Sequence, residues 1–345
     1  MVKVLVVDDS AFARSSISRV LNRAPGMEIV GQAANGQEAI DKTRELKPDV
    51  VTLDVEMPVM DGLTALRRIM HMNPLPVVMV SSLTGPQADA TITALELGAV
   101  ECFLKPSIAL PAGRHGDEHD LVTTIRNAAA AKVRPNGNAT EAAIERPART
   151  ITKTLGREFS KVMIIGSSTG GPKALAKVVP ELPNDLPVAF LIVQHMPEGF
   201  TKSLAERLDK ISNLTVTEAT TGAKVSAGQA ILARGGKHML IDDRGVISLD
   251  DGPPVKGVKP AIDVTMESAV EAYGGKVDGV ILTGMGSDGT HGSGLIKRAG
   301  GSVAAEHEST CVVYGMPKAV TDAGHVDAVA PLGRMSKRII EMYRS

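Results

Sequence analysis

Tryptophan is absent from this 345-residue sequence, and the other aromatics amount to five Phe and three Tyr. Proteins that hold single-stranded nucleic acid stack bases on aromatic rings, and this composition offers few such platforms. Neither charge sign is in excess. Lys and Arg number 38 against 39 Asp and Glu, a formal net charge of −1. The basic footprint of a phosphate-backbone binder is therefore missing, and no nucleic-acid partner is expected. Cysteine occurs only as Cys102 and Cys311, in no CxxC pair, which excludes a disulfide scaffold or a structural zinc site and fits a reducing compartment. No apolar run approaches the ~18 residues of a membrane span. The opening run Val2–Val7 stops at Asp8 and Asp9, too short for a signal peptide. A cytoplasmic protein without membrane insertion is expected. What is present is ordinary for a globular chain: 43% hydrophobic and 22% charged residues. The length points to about two domains.

The first third alternates short apolar runs (Val2–Val7, Glu28–Ala34, Val50–Leu53, Val77–Val80, Val100–Leu104) with segments of helical spacing. Five such units predict an open parallel sheet with helices on both faces, closed by a helix from about Leu121 to Lys132. From Val133 to Arg157 Pro, Gly, Asn and Thr break any period, which predicts a linker over 133–157 between domains at 1–132 and 158–345. The second domain resumes the strand–loop–helix pattern with strands at Val162–Ile165, Val188–Val193, Val277–Leu282 and Ser302–Ala305. Pro172 suits a first helical position, and Leu175, Val178, Val179 and Leu182 follow at helical spacing. Between Ala230 and Leu249 short runs are separated by turn residues, and hairpins are expected there. No repeat of fixed period is present.

Acidic and polar residues stand where the N-terminal strands end. Asp8 and Asp9 follow the first, Asp54 ends the third, Ser81 the fourth and Lys105 the fifth. In an open parallel sheet the carboxyl ends of the strands form the ligand crevice. Carboxylates gathered there repel one another unless a cation sits among them, and an all-oxygen set suits Mg²⁺. A carboxylate beside such an ion can act as a nucleophile toward a phosphoryl donor. These residues, with the run Asp54-Val-Glu-Met-Pro-Val-Met-Asp-Gly62 and Lys105-Pro106, resemble a response-regulator receiver domain. The resemblance implies Asp54 as phospho-acceptor. It implies Mg²⁺ held by Asp8, Asp9, Asp54 and the Glu56 backbone carbonyl, and Ser81 and Lys105 as the phosphoryl-sensing pair. One position departs from the pattern: many receivers carry an aromatic residue three places before the lysine, where this chain has Cys102. Phe103 beside it is expected to point to the other face.

In the second domain Gly166-Ser-Ser168-Thr-Gly170 fits G-x-S-x-G, a strand-to-helix turn that lifts a serine hydroxyl above a sheet. A helix N-terminus beside it favours an oxyanion. An N-cap serine is the bland alternative; a P-loop is excluded because Pro172 stands where that motif needs Lys. Among eight histidines, His195 follows the next strand and shares the sheet edge with Ser168. His291 is the stronger rival, and His238 and His307 are weaker ones. Gly284-Met-Gly286-Ser-Asp288-Gly289 formally matches GxGxxG, with Glu306 ending the next strand, so an NAD-linked enzyme remains an alternative. Asp288, however, would oppose a pyrophosphate and is well placed to orient a histidine. Asp263 is a rival acid, expected away from the sheet edge, and Ser167 competes as nucleophile. A non-catalytic receptor-binding module is a further alternative.

The order Ser–His–Asp, together with Ile165-Gly-Ser-Ser168-Thr-Gly-Gly171, Gln194-His195-Met-Pro197, Thr283-Gly-Met285-Gly-Ser-Asp288-Gly289 and Val313-Tyr-Gly-Met-Pro317, resembles the chemotaxis protein-glutamate methylesterases, the CheB family. With the receiver in front, the resemblance covers everything but the linker. It implies an α/β protein of two doubly wound parallel-sheet domains: a flavodoxin-like receiver, then a Rossmann-like esterase domain with an antiparallel hairpin section. It implies a phosphorylation-regulated serine esterase that cleaves glutamate γ-methyl esters on the cytoplasmic helices of chemoreceptors, with glutamine deamidation as a second activity. The backbone N–H groups of Thr169 and Met285 would form the oxyanion hole. A chemotaxis histidine kinase would be the phosphodonor, and the catalytic domain would need no cofactor.

Overall fold

The computed structural model of the protein describes residues 1–81, 85–105, 115–133 and 157–344. The chain divides into two compact units, residues 1–140 and 141–345. The stretch expected as a linker, 133–157, lies almost wholly outside the described residues.

The first unit alternates strand and helix throughout: β1 (Val2–Val7), α1 (Ala11–Arg23), β2 (Met27–Ala33), α2 (Gly36–Leu46), β3 (Val50–Asp54), α3 (Gly62–Met72), β4 (Val77–Ser81), α4 (Gly85–Leu97), β5 (Glu101–Leu104) and α5 (His115–Ala129). The five strands pair in parallel in the order β2-β1-β3-β4-β5. β3 and β4 are buried along their whole length, as continuous apolar strands covered on both faces must be. Helix starts are specified locally. The Asp61 carboxylate caps α3 by accepting the Thr64 N–H at 2.7 Å. Gly62 is obligatory for a second reason: a Cβ there would overlap the carbonyl oxygen of Asp54. Cys102 and Phe103 on β5 are both buried, one on each face of the strand.

The second unit contains β6 (Lys161–Ser167), α6 (Gly171–Val178), β7 (Val188–Gln194), α7 (Phe200–Ile211), β8 (Thr215–Glu218), β9 (Gln229–Leu232), β10 (His238–Ile241), β11 (Ile247–Asp250), α8 (Ile262–Tyr273), β12 (Val277–Ile281), α9 (Thr290–Ala299), β13 (Val303–Glu306), α10 (Met316–Asp322), β14 (Ala328–Ala330) and α11 (Leu332–Arg344). Seven strands form one parallel sheet in the order β14-β13-β12-β6-β7-β9-β8. The chain winds from β6 toward β7 on one side, and later toward β12 and β13 on the other. The carboxyl ends of β6 and its two neighbours therefore flank the place where winding direction reverses, which is where open α/β sheets bind ligands. The hydrophobic core packs Val162, Ile164, Leu191 and Val193 of the sheet against Ile262 and Met266 of α8 and Ile296 of α9.

One expectation is corrected here. The section from Ala230 to Leu249 is not all hairpin. β9 joins the main sheet in parallel, between β7 and β8, and only β10 and β11 pair antiparallel. β9 is four residues long, and its partners lie across connections that local turn residues do not reveal. β8, with four residues, and β14, with three, carry no periodic signal in the sequence at all.

Candidate active site

β6 carries the apolar run Val162–Ile165 through the centre of the sheet and delivers Ser168 immediately past its end. The turn is fixed by backbone bonds. The Ser168 N–H donates to the Thr283 carbonyl at 3.0 Å, and the Ser168 carbonyl accepts the Gly171 N–H at 2.7 Å as α6 begins. Pro172 sits in the first turn of α6, as expected. Ser168 is 8% exposed and its Oγ has no hydrogen-bond partner among the described residues. Ser167 is fully buried, and its hydroxyl donates to Gln194 Oε1 at 2.7 Å. The adjacent serines thus have opposite roles in the turn, one tied into the core and one left at the edge.

His195 is placed by β7. Its Nε2 lies 2.8 Å from Asp288 Oδ2. Asp288 is 3% exposed and accepts three backbone N–H groups besides: Ile262 at 2.6 Å, Asp263 at 3.1 Å and Gly289 at 3.0 Å. Two of these come from the first turn of α8, so a helix N-terminus points at the carboxylate. Burial alone would push the Asp288 carboxyl up. The hydrogen bond and charge of His195, with the N–H groups of Ile262 and Asp263, outweigh it and hold the pKa below the usual carboxylate range. A depressed folded-state pKa contributes stability that is present above the unfolded value and lost as pH falls through the folded one. Urea titrations are therefore expected to show the wild type losing more stability between pH 6 and pH 3 than an Asp288→Asn variant loses.

The rivals fall in identifiable places. Asp263 is nearer than expected: its backbone N–H touches Asp288, because α8 begins directly against the strand ends. Its carboxylate is nevertheless engaged elsewhere, accepting Lys256 Nζ at 2.7 Å and the Gly292 N–H at 2.8 Å. His238 is a buried core histidine, with Nδ1 accepting the Ala261 N–H at 3.1 Å and Nε2 3.1 Å from the Pro253 carbonyl. His291 is exposed on α9, and His307 bonds Ser309 in an exposed turn. The Gly284–Gly289 loop does not serve as a dinucleotide cradle. A Cβ at Gly284 would meet Met316 Sδ at 2.5 Å and Ser168 Cβ at 2.8 Å, so this glycine exists to let the loop pack on the serine. Glu306, the residue a ribose would need, is buried and accepts the Thr283 N–H at 2.9 Å. The Met285 N–H finds no acceptor among the described residues. Thr169 is buried, with its carbonyl accepting the Thr283 hydroxyl at 3.0 Å.

Gln194 has a part that sequence reasoning did not assign. Its Nε2 donates to the Ser168 carbonyl at 3.0 Å and the His195 carbonyl at 2.9 Å, tying the ends of β6 and β7 together. Its place next to a candidate histidine was the only signal, and that signal says nothing of which carbonyls it reaches.

At the edge of the first sheet, Asp8, Asp9 and Asp54 each offer an oxygen within 4.8 Å of the others. Lys105 Nζ lies 2.7 Å from Asp54 Oδ2 and 2.8 Å from Asp8 Oδ2. Asp54 Oδ1 accepts the Val55 N–H at 2.7 Å. Burial, helped by the Asp8 charge, raises the Asp54 carboxyl above its usual pKa against the pull of Lys105. For Lys105 burial pulls down, but the bonds and charges of Asp54 and Asp8 win and hold its pKa up. Three carboxylates against one ammonium leave this hard-oxygen set with excess negative charge, which fits a divalent cation such as Mg²⁺. Ser81 is buried at the end of β4, and Glu56 is exposed in the loop after β3.

Residues 163–339 match the family model described as CheB methylesterase, and residues 4–110 match the response regulator receiver domain. The chain belongs to the CheB methylesterase family. A relative from Symbiobacterium thermophilum, named protein-glutamate methylesterase/protein-glutamine glutaminase, is 47% identical over 98% of this chain and 96% of its own length. One of the same name from Archaeoglobus fulgidus is 45% identical over 98% of this chain and 97% of its own. The crystal structure of the Thermotoga maritima CheB methylesterase catalytic domain superposes with a TM-score of 0.52 at 46% identity, covering 53% of this chain and 98% of that one. This CheB-family chain thus has the parallel-sheet receiver and catalytic domains of its relatives. The dinucleotide and non-catalytic readings find no support among them. Among the described residues no helix is long and apolar enough to cross a membrane.

Proposed function

We propose that the chain is a phosphorylation-regulated serine esterase that hydrolyses glutamate γ-methyl esters on chemoreceptors and deamidates receptor glutamines. The observation that carries the reading is the 2.8 Å contact between His195 and a buried, ionised Asp288, on the same sheet edge as an unengaged Ser168 hydroxyl. His195, with Nε2–H held on Asp288, takes the Ser168 proton on its other ring nitrogen as Oγ attacks the ester carbonyl. The Thr169 and Met285 N–H groups receive the negative oxygen of the tetrahedral intermediate. The imidazolium then gives its proton to the departing methoxide, and methanol leaves. Water, activated by the same histidine, cleaves the acyl-enzyme to free glutamate and Ser168. With glutamine the leaving group is ammonia, and nothing else in the sequence of steps changes.

Domains at 1–132 and 158–345, joined by 133–157, place a receiver ahead of this site. Asp54 is the phospho-acceptor, with a chemotaxis histidine kinase as donor. Asp8, Asp9, Asp54 and the Glu56 carbonyl would hold Mg²⁺, which neutralises the carboxylates and the incoming phosphoryl oxygens when bound. Lys105 and Ser81 then bond the phosphoryl group. The aspartyl phosphate carries about 1.5 to 2 negative charges where the Asp54 carboxylate carried one, so phosphorylation adds roughly one charge or less and spreads it over three new oxygens. Lys105 has to leave its present contacts with Asp54 and Asp8 to follow that charge. A shift in activity requires the phosphorylated receiver to favour one conformational state over another. A small-molecule phosphodonor with Mg²⁺ is therefore expected to raise ester hydrolysis by the full chain, and Asp54→Asn is expected to keep basal activity without responding. Equal stimulation of the Asp54→Asn variant in the same assay would overturn the assignment of Asp54.

A further inference from the structure

Thr283 touches both halves of the oxyanion site, and every polar group it owns is engaged. It lies just beyond β12, 1% exposed. Its N–H donates to Glu306 Oε2 at 2.9 Å, and its carbonyl accepts the N–H of Ser168 at 3.0 Å. Its hydroxyl donates to the Thr169 carbonyl at 3.0 Å, with the Val313 carbonyl farther off at 3.3 Å. The same oxygen accepts the N–H groups of Val312 at 3.1 Å and Val313 at 3.0 Å. A hydroxyl has one hydrogen to give and two lone pairs, so this one is saturated.

The consequences run in two directions. Thr283 holds the chain on both sides of the Thr169 N–H: its hydroxyl bonds the Thr169 carbonyl, one Cα beyond it, and its own carbonyl bonds the Ser168 N–H, one Cα before it. Through the main chain it leads into Gly284 and Met285. Gly284 is itself pinned on both sides, donating to the Val313 carbonyl at 3.1 Å and accepting the N–H groups of Gly315 at 3.0 Å and Met316 at 2.9 Å. The loop at 312–316 thus braces both segments, and the Thr283 hydroxyl is the point where that loop, the Thr169 peptide and the end of β12 meet. Behind it, Glu306 ends β13 as a fully buried carboxyl aimed at the Thr283 N–H.

We propose that Thr283 is a positioning residue: its hydroxyl sets the spacing of the Thr169 and Met285 N–H groups, and Glu306 holds Thr283 in register. This rests on the reading of those two groups as oxyanion donors. Donors held in place beforehand stabilise developing charge without reorganising, and a misplacement of ~1 Å costs on the order of 10²-fold in rate. Thr283→Val keeps the β-branched shape but removes one hydrogen and both lone pairs.

The test compares full-length Thr283→Val, Thr283→Ala, Thr283→Ser, Glu306→Ala and Ser168→Ala for ester hydrolysis. Rates of the Thr283 and Glu306 variants are normalised to active sites titrated with a fluorophosphonate, so that only folded, competent molecules count; Ser168→Ala, which offers no nucleophile to titrate, is compared per mole of protein. An interaction realised in the transition state lowers kcat and leaves KM within about twofold. Thr283→Val and Thr283→Ala are expected to lose roughly 10- to 100-fold in kcat per titrated site. Thr283→Ser restores the hydroxyl and with it most of the rate. Glu306→Ala leaves the Thr283 N–H without its acceptor and is expected to lower kcat per titrated site in the same direction; an unchanged kcat there would overturn the role given to Glu306. If Thr283→Val and Thr283→Ala lower only the number of titratable sites and leave kcat per site unchanged, the residue is purely structural and the proposal is wrong. A Ser168→Ala variant that stays active would instead overturn the reading of the site itself.

Discussion

Ser168→Ala is expected to abolish ester hydrolysis to within the background of the assay, whereas Ser167→Ala is expected to retain most of it. The two serines are neighbours, yet the turn after β6 separates them completely. Ser167 is fully buried and spends its hydroxyl on Gln194. Ser168 follows the strand with its hydroxyl unengaged among the described residues, beside the start of α6. Without Ser168 Oγ no acyl-enzyme forms, and what remains is the weak catalysis of the binding site on water. In a serine protease that residue of activity is ~10³ to 10⁴ above the uncatalysed reaction, some 10⁶ below the intact enzyme. Ser167→Ala removes one hydrogen bond to Gln194, worth about 1 kcal/mol of stability. It touches the rate only so far as Gln194 loosens its hold on the Ser168 and His195 carbonyls. Covalent labelling by a fluorophosphonate, mapped by peptide mass spectrometry, reads the assignment directly: modification is expected on Ser168, and modification on Ser167 would reverse it.

Asp288→Asn is expected to lower kcat by about 10⁴, the size of the corresponding change in a serine protease triad. An amide cannot stabilise the imidazolium that forms as Ser168 attacks. It also meets a steric difficulty specific to this site. Both carboxylate oxygens of Asp288 already accept backbone N–H groups, Ile262 on Oδ2 and Asp263 and Gly289 on Oδ1. Whichever way the Asn side chain turns, its NH₂ faces at least one of these donors. The variant therefore also loses stability, about 1 to 3 kcal/mol for an unsatisfied buried donor, and its rate has to be read per titrated active site. Asp263→Asn is the matched control. That carboxylate serves Lys256 and the Gly292 N–H, so its loss is expected to cost far less in kcat. The opposite ranking in a kinetic comparison would move the acid of the triad to Asp263.

Long parallel strands and their ends were the legible part of this sequence. β7 and the middle of β6 are continuous apolar runs closed by polar residues, and β1 and β3 are nearly so, broken only by Lys3 and Thr52; such a run buried on both faces has little else it can be. Because the chemistry stands at strand ends, locating those ends was enough to anticipate that Ser168, His195 and Asp288 share one edge, and that Asp8, Asp9, Asp54 and Lys105 share another. What escaped the sequence is what depends on packing between distant segments. β8 and β9 are four residues each, too short for a period, and β9 owes its parallel pairing to β7 rather than to the turns beside it. Asp263 was expected far from the edge because it follows the hairpin section, yet α8 lies with its first turn on Asp288. The hydrogen-bonding of Gln194, Thr283 and Glu306 leaves no pattern in a single sequence, since each side chain answers to a backbone group 23 to 114 positions away.

The central claim is a serine-dependent cleavage of a glutamyl methyl ester, and release of labelled methanol tests it most directly. Chemoreceptor-bearing membranes methylated with a radiolabelled methyl group would be incubated with the full-length protein, with and without a phosphodonor and Mg²⁺, and volatile label collected. The expected result is release by the wild type, faster with the phosphodonor, and none above background with Ser168→Ala. Failure of the wild type to release methanol in either condition, or equal release by Ser168→Ala, would contradict the account.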